Sequence, residues 1–295
     1  MTLWGREGSR SLAALRETGG NRYLKLPERV CLTSDLGAAL ESAQLVVISI
    51  SAQELRALAR CIQAYPVAGK TFILCMKGLE CGTGDRLTQV FRSEVTQPVS
   101  VAVWVGPGHV EDFTAGVPNC MVVDSDDRTV VDFIVETMST DLIRLYKGGD
   151  LVGTEVGAAA KNVIGIAAGM LDGKGLSSLK GSLMARGARE IARLIRAMGG
   201  NELSAYGLCH LGDYEATLFS SHSHNRQFGE SYIKGEPYGS LRRRAHCARL
   251  VELGARYGVE LPICNTIYAI LYEEADADAA LRTLFTRSVK GEFDS

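Results

Sequence analysis

The chain has 295 residues, 46% of them hydrophobic, with 32 basic and 34 acidic side chains and a formal net charge of −2. That length suits about two domains with sizeable cores. The near balance of charge argues against nucleic acid or an anionic membrane as partner, and the short run Arg242-Arg243-Arg244 reads as a solvated helix face.

Met1 to Glu7 contains no apolar core of a signal peptide. From there, short β-rich runs alternate with helical patterns. Strands are predicted at Met1–Trp4, Gln44–Ile50, Thr71–Met76, Val99–Val105, Cys120–Val123 and Leu142–Tyr146, and helices at Ala52–Ala64, Arg86–Glu94 and Thr129–Met138. Strands apolar on both faces and separated by helices read as a parallel, doubly wound sheet covered on both sides. In such sheets ligands sit beyond the carboxyl ends of the strands. The strand signal stops near Lys147-Gly148-Gly149-Asp150, where two glycines break the pattern. Helical spacing then continues through Thr154–Leu171, Ser177–Met198, Leu241–Tyr257 and Cys264–Glu274. The expected organisation is an α/β domain over residues 1–150 and an all-helical domain over 151–295.

The longest weakly polar stretch, Val156–Leu171, is interrupted by Lys161 and Asn162. It falls short of the ~18–20 residues of a bilayer span, so no membrane span is expected. Eight cysteines, none in a Cys-x-x-Cys pair, read as buried reduced thiols of a cytoplasmic protein.

Three strand ends carry unusual residues: Ser51 after Ile50, Lys77-Gly78-Leu79-Glu80 after Met76, and Gly106-Pro107-Gly108 after Val105. A lysine followed by glycine at such an end suits anion binding, and a plain turn with a surface lysine fits equally well. Gly106 allows close backbone approach to a ligand. Lys161 sits among small residues in Val156-Gly157-Ala158-Ala159-Ala160-Lys161-Asn162-Val163-Ile164-Gly165-Ile166. Taken out of water, its ammonium loses proton affinity and becomes an acid or base near neutrality; the alternative is a lysine snorkelling from a helix edge. A third cluster runs from Gly207 through Asp213 and Thr217 to the polar tract Ser220–Arg226, read as a ligand-facing loop. Cys209, His210, Asp213, His222 and His224 match no familiar zinc spacing, and no metal is expected.

Together these segments resemble the bacterial-type NAD(P)-dependent glycerol-3-phosphate dehydrogenases over nearly the whole chain. The parts occur in the family's order: Leu3-Trp4-Gly5-Arg6; Asn21-Arg22-Tyr23-Leu24; Lys77-Gly78-Leu79-Glu80; Val105-Gly106-Pro107; Val152-Gly153-x-Glu155. Then come Ala160-Lys161-Asn162-Val163-Ile164-x-Ile166, Arg186-Gly187, Gly207-Leu208-x-x-Leu211-Gly212-Asp213, Asn225-Arg226-x-Phe228-Gly229 and Leu261-Pro262-Ile263.

The resemblance implies a Rossmann-like domain plus a helical domain, and hydride transfer between a nicotinamide and dihydroxyacetone phosphate or sn-glycerol 3-phosphate. It implies Lys161 as proton donor and acceptor, with Lys77 and Asp213 also catalytic. Gly106, Thr217, Ser223 and Asn225 would meet substrate with them; Arg6, Tyr23, Lys77, Val110 and His224 would meet the cofactor. Arg6 favours the 2′-phosphate of NADPH over NADH, although Glu7 follows directly. A homodimer is compatible with the family.

The chain also departs from the family. It opens at the family's second strand, so the first strand and its glycine-rich turn, roughly 20–30 residues on the size of a β-turn-α unit, are expected to be missing. Met1 then reads as an internal methionine. His224 stands where the family has arginine, with Arg226 able to compensate in part. Gly108 replaces a small hydroxyl residue, Ser177–Lys180 replaces a Gly/Asn-containing stretch, and 235–246 is short by about a dozen residues against ordinary inter-helix connections. These departures keep two rivals open: a non-catalytic remnant, and a related dehydrogenase of another phosphorylated or hydroxy-acid substrate.

Overall fold

The computed structural model of the chain describes residues 1–108, 110–221, 223–237 and 244–286. His222, Arg242 and Arg243, named above, lie outside them, as does half of the shortened passage 235–246. The elements run β1 (Thr2–Trp4), α1 (Arg10–Thr18), β2 (Cys31–Thr33), α2 (Leu36–Glu41), β3 (Leu45–Ile48), α3 (Leu55–Gln63), β4 (Thr71–Leu74), α4 (Leu87–Glu94), β5 (Ser100–Val105), α5 (Val110–Thr114), β6 (Asn119–Asp124), α6 (Arg128–Met138) and β7 (Ile143–Lys147). Helices follow: α7 (Leu151–Gly173), α8 (Lys180–Ala197), α9 (His224–Lys234), α10 (Arg244–Tyr257), α11 (Pro262–Tyr272) and α12 (Ala277–Phe285).

β3 to β7 form one sheet in chain order, and β1 pairs with β2 in a separate two-stranded parallel sheet. The sheet is not wholly parallel as expected: β6 runs antiparallel to β5, pairing Trp104 with Val123. The period of two along β4 shows why helices cover both faces. Phe72 and Leu74 enter a cluster with Leu55, Ala59 and Ile62 of α3 and Val90 and Phe91 of α4, while Ile73 enters another with Val130, Val131 and Ile134 of α6. Side chains that cap backbone amides start several helices, including Ser9 for α1, Asp35 for α2, Asp127 for α6 and Asp150 for α7.

Gly148-Gly149 lie between the end of β7 and the start of α7. At 23 residues, α7 is longer than expected and, by length and composition, could cross a membrane; 89% of its apolar window is buried within the fold. It is the central helix of the second core, wrapped by α8, α9, α10 and α11. Its glycines let α9 lie against it backbone to backbone. A Cβ on Gly169 would strike the Arg226 carbonyl, and one on Gly229 the Ile166 carbonyl. Glu155 of α7 ties the two halves together, accepting from Thr88 N at 2.9 Å, Thr88 Oγ1 at 2.6 Å and Arg86 at 2.6 Å. Burial raises the Glu155 carboxyl pKa against the pull of Arg86.

The tract Ser220–Arg226 is only partly a loop, because α9 begins at His224 with Ser223 as its cap. Nor are all the thiols buried: Cys31, Cys61 and Cys81 are exposed, although all eight cysteines are unpaired.

Candidate active site

Two lysines from different domains converge on one carboxylate oxygen. Lys77, just past β4, places Nζ 2.6 Å from Asp213 Oδ2 and donates to the Gly106 carbonyl at 2.7 Å. Lys161, in the middle of α7, places Nζ 2.6 Å from the same Oδ2 and donates to Thr217 Oγ1 at 3.0 Å. Asp213 closes a 3-10 turn at Leu211–Asp213, and Thr217 lies in the π-helical turn Glu215–Phe219, its hydroxyl donating to the Asp213 carbonyl at 2.6 Å. Gly106 has φ 137°, open to glycine, and a Cβ there would come 3.0 Å from Met121 Cα.

Two ammonium groups share one carboxylate that is 1% exposed, so the cluster has an unbalanced positive charge to offer. Burial is the main force on Lys161 and Lys77 adds repulsion; together they outweigh the attraction of Asp213 and lower the Lys161 pKa from 10.5 to about 7. A group so poised gives up or takes a proton at neutral pH. The snorkelling alternative is thereby set aside, since Lys161 is 9% exposed.

Next to this cluster, Asn225 Nδ2 donates to Asn162 Oδ1 at 2.9 Å, and Ser223 Oγ accepts from Arg226 N at 3.4 Å. His224 is the first residue of α9. Arg226 is not free to stand in for a phosphate-binding arginine. Its Nη1 is 2.8 Å from Asp172 and 2.8 Å from Glu230, and its Nε donates to the Ser220 carbonyl.

The described residues contain no group of three or more candidate metal ligands, and His222 of the set named above lies outside them. Both ring nitrogens of His210 are engaged, by the Gly157 carbonyl and the Tyr214 hydroxyl. Burial pushes the Cys209 thiol up to about 12. The expected cofactor residues other than Lys77 come from separate segments. Arg6 is 75% exposed and lies 3.4 Å from Glu54; Tyr23 lies under the Arg22 guanidinium in the turn after α1; Val110 opens α5.

Beyond β3 and β4, Ser51, Gln53, Lys77, Ala159, His246 and Arg249 line a crevice of about 360 Å³. The Arg249 guanidinium is paired through Nη1 with Glu252, and its Nε is buried with no acceptor among the described residues. One unsatisfied guanidinium N–H in a crevice that Lys77 also lines fits an anionic ligand, and the strand-end position fits a nucleotide. These residues therefore suit an anionic nucleotide ligand. His246 and Arg249 escaped the sequence reading. Their only signal is two basic residues three apart on one helix, which a solvated face shows equally often.

Comparison with known proteins agrees along the chain. Residues 1–131 match the profile described as NAD-dependent glycerol-3-phosphate dehydrogenase N-terminus, and residues 150–282 match its C-terminus counterpart. A protein of Chlorobium luteolum named glycerol-3-phosphate dehydrogenase (NAD(P)+) is 34% identical over 99% of this chain and 92% of its own length. One of the same name from Moorella thermoacetica is 35% identical, over 100% and 91%. The crystal structure of glycerol-3-phosphate dehydrogenase from Coxiella burnetii superposes with a TM-score of 0.89 at 26% identity, covering 97% of this chain and 91% of that one. With both halves matched in order and a shared fold, the chain belongs to the NAD-dependent glycerol-3-phosphate dehydrogenase family.

Proposed function

We propose that this chain interconverts dihydroxyacetone phosphate and sn-glycerol 3-phosphate with NADPH or NADH, supplying glycerophospholipid synthesis. The observation that carries the reading is the buried Lys161 ammonium, held at 2.6 Å from Asp213 beside Thr217 with its pKa near 7. The nicotinamide, when bound, supplies or accepts the hydride at C2.

The remaining work falls to side chains. In reduction, Lys161 gives its proton to the C2 oxygen as negative charge develops there, and in oxidation the neutral amine takes it back. Lys77 adds positive charge at the same place and keeps Asp213 fixed. Asp213 and the Thr217 hydroxyl hold the Lys161 amine in one position, which preserves its alignment through the proton transfer. Ser223, His224 and Asn225, at the start of α9, present polar groups and a helix N-terminus to the substrate phosphate. Arg249 and Lys77 would hold the dinucleotide in the crevice, with Arg6 at its mouth favouring NADPH. The eight unpaired thiols support a cytoplasmic setting.

The test is NADPH oxidation with dihydroxyacetone phosphate, beside Lys161→Ala and a panel of other phosphorylated and hydroxy-acid ketones. Turnover of dihydroxyacetone phosphate lost in Lys161→Ala, with reduction falling above about pH 7 and oxidation falling below it, is the expected outcome. Turnover unchanged in Lys161→Ala would refute the proton role, and preference for another ketone would refute the substrate.

A further inference from the structure

His210 occupies one of the two positions that interrupt the shared segment Gly207-Leu208-x-x-Leu211-Gly212-Asp213. It is fully buried, as is Tyr214 four residues on, which lies in the predominantly apolar core of the helical half. A buried polar pair needs partners for every group, and this pair has them. His210 Nδ1 lies 2.8 Å from the Gly157 carbonyl. A carbonyl only accepts, so Nδ1 carries the proton. Nε2 is then the acceptor, and the Tyr214 hydroxyl donates to it at 2.6 Å. Burial lowers the imidazole pKa to about 4, which keeps this neutral tautomer in place through the working range.

The place where His210 attaches gives the pair its meaning. The Gly157 carbonyl belongs to the turn of α7 that ends at Lys161, since helical bonding joins residue 157 to the amide of 161. Lys161 reaches back across the same gap to Asp213 and Thr217. Asp213 N in turn bonds to the His210 carbonyl at 3.0 Å. The segment 210–217 is therefore fastened to one turn of α7 at two levels, by His210 below and by Lys161 above. Gly157 makes the lower level possible, because a Cβ there would come 3.1 Å from His210 Cβ and 3.0 Å from Cys209 Sγ.

We propose that the His210–Tyr214 pair is a positioning device that holds Asp213 and Thr217 on the Lys161 amine and keeps that amine dry. The proposal rests on the reading of Lys161 as proton carrier for its purpose, and on geometry alone for its existence. Loosening the segment admits water to Lys161, and because burial is the chief force on that amine, its proton affinity rises.

The experiment measures Lys161 directly, with no need for turnover. The whole chain is labelled with 13C-lysine, and the Cε shift of Lys161, assigned with Lys161→Met, is titrated in wild type, Tyr214→Phe, His210→Asn and His210→Gln. Asn places an amide nitrogen where Nδ1 was and keeps the bond to Gly157; Gln reaches towards Tyr214 and loses it. Lys161 is expected to titrate near 7 in wild type and at least about one unit higher in His210→Gln. His210→Asn and Tyr214→Phe, which each keep the Gly157 bond and lose the Tyr214 contact, should both fall between them. Thermal melts confirm that each variant is folded. A Lys161 that titrates alike in all four folded proteins would overturn the proposal and leave the pair a core feature only. In an active preparation, kcat should fall about tenfold in His210→Gln with KM within about twofold, and His210→Asn should restore it in part. Failure of dihydroxyacetone phosphate turnover in wild type would count against the functional reading and leave the titration result standing.

Discussion

Replacing Lys161 by methionine should make the protein more stable while removing its chemistry. The Lys161 pKa of about 7, against an ordinary 10.5, means that the folded chain binds fewer protons than the unfolded chain between those values. Stability therefore rises with pH from about 7 to 10.5. At about 1.4 kcal/mol per unit, keeping the ammonium in the site costs about 5 kcal/mol well below pH 7 and about 4 at pH 7. Methionine removes that penalty and also loses the amine's hydrogen bonds to Thr217 and Asp213, worth about 1–2 kcal/mol. Asp213 keeps Lys77 at 2.6 Å, so no carboxylate is stranded. The net expectation is a gain of about 2–3 kcal/mol at pH 7, or roughly 5 °C in Tm on the entropy of a chain this size, vanishing by about pH 10. Turnover should fall about 10²- to 10⁴-fold. Melts of both proteins from pH 6 to 10 decide the matter. A stability difference that does not change with pH would show that Lys161 is not titrating near 7, and the account of its proton role would go with it.

Arg249→Gln should raise the NADPH dissociation constant about tenfold, as for loss of one charge-assisted hydrogen bond, in a fluorescence titration without substrate. Equal affinities would mean that the orphaned Nε does not face the ligand. Gly169→Ala drives a methyl into the Arg226 carbonyl and should cost about 3 kcal/mol by urea unfolding. It should also raise the KM for dihydroxyacetone phosphate, because α9 carries Ser223, His224 and Asn225; an unchanged KM in the folded variant would separate that helix from the substrate.

Period and punctuation were enough to find the parts of the fold that have one cause. β4 is apolar on both faces because helices cover both, and Gly148-Gly149 ends the sheet domain because nothing else there continues a strand. Short elements were lost for the opposite reason. β2 has three residues and α2 has six, so neither completes two periods of its pattern, and each depends on its neighbours: β2 on pairing with β1, α2 on the Asp35 cap. The direction of β6 has no local signal at all, since an antiparallel and a parallel strand of the same apolar residues look alike.

The site divides along the same line. Lys161 is visible in sequence because burying a charge among alanines and glycines violates a local rule, and such a violation needs a compensating group somewhere. The sequence cannot say where that group is. Asp213 lies fifty-two positions away, and Lys77 comes from the other domain to the same oxygen. His210 was read among possible metal ligands because residue type alone makes it one. Only the fold shows both nitrogens already taken, by a carbonyl on the turn that carries Lys161 and by a tyrosine in the core. Arg226 misled in the same way. As a cation two residues from His224 it suggested a phosphate contact, but Asp172 and Glu230 claim it. A charged side chain is thus legible as an anomaly from its neighbours in the chain, and as a ligand only after its neighbours in space are known. In this protein that second step separates Lys161 and Lys77, which share one carboxylate and leave positive charge over, from Arg226, which two carboxylates already balance.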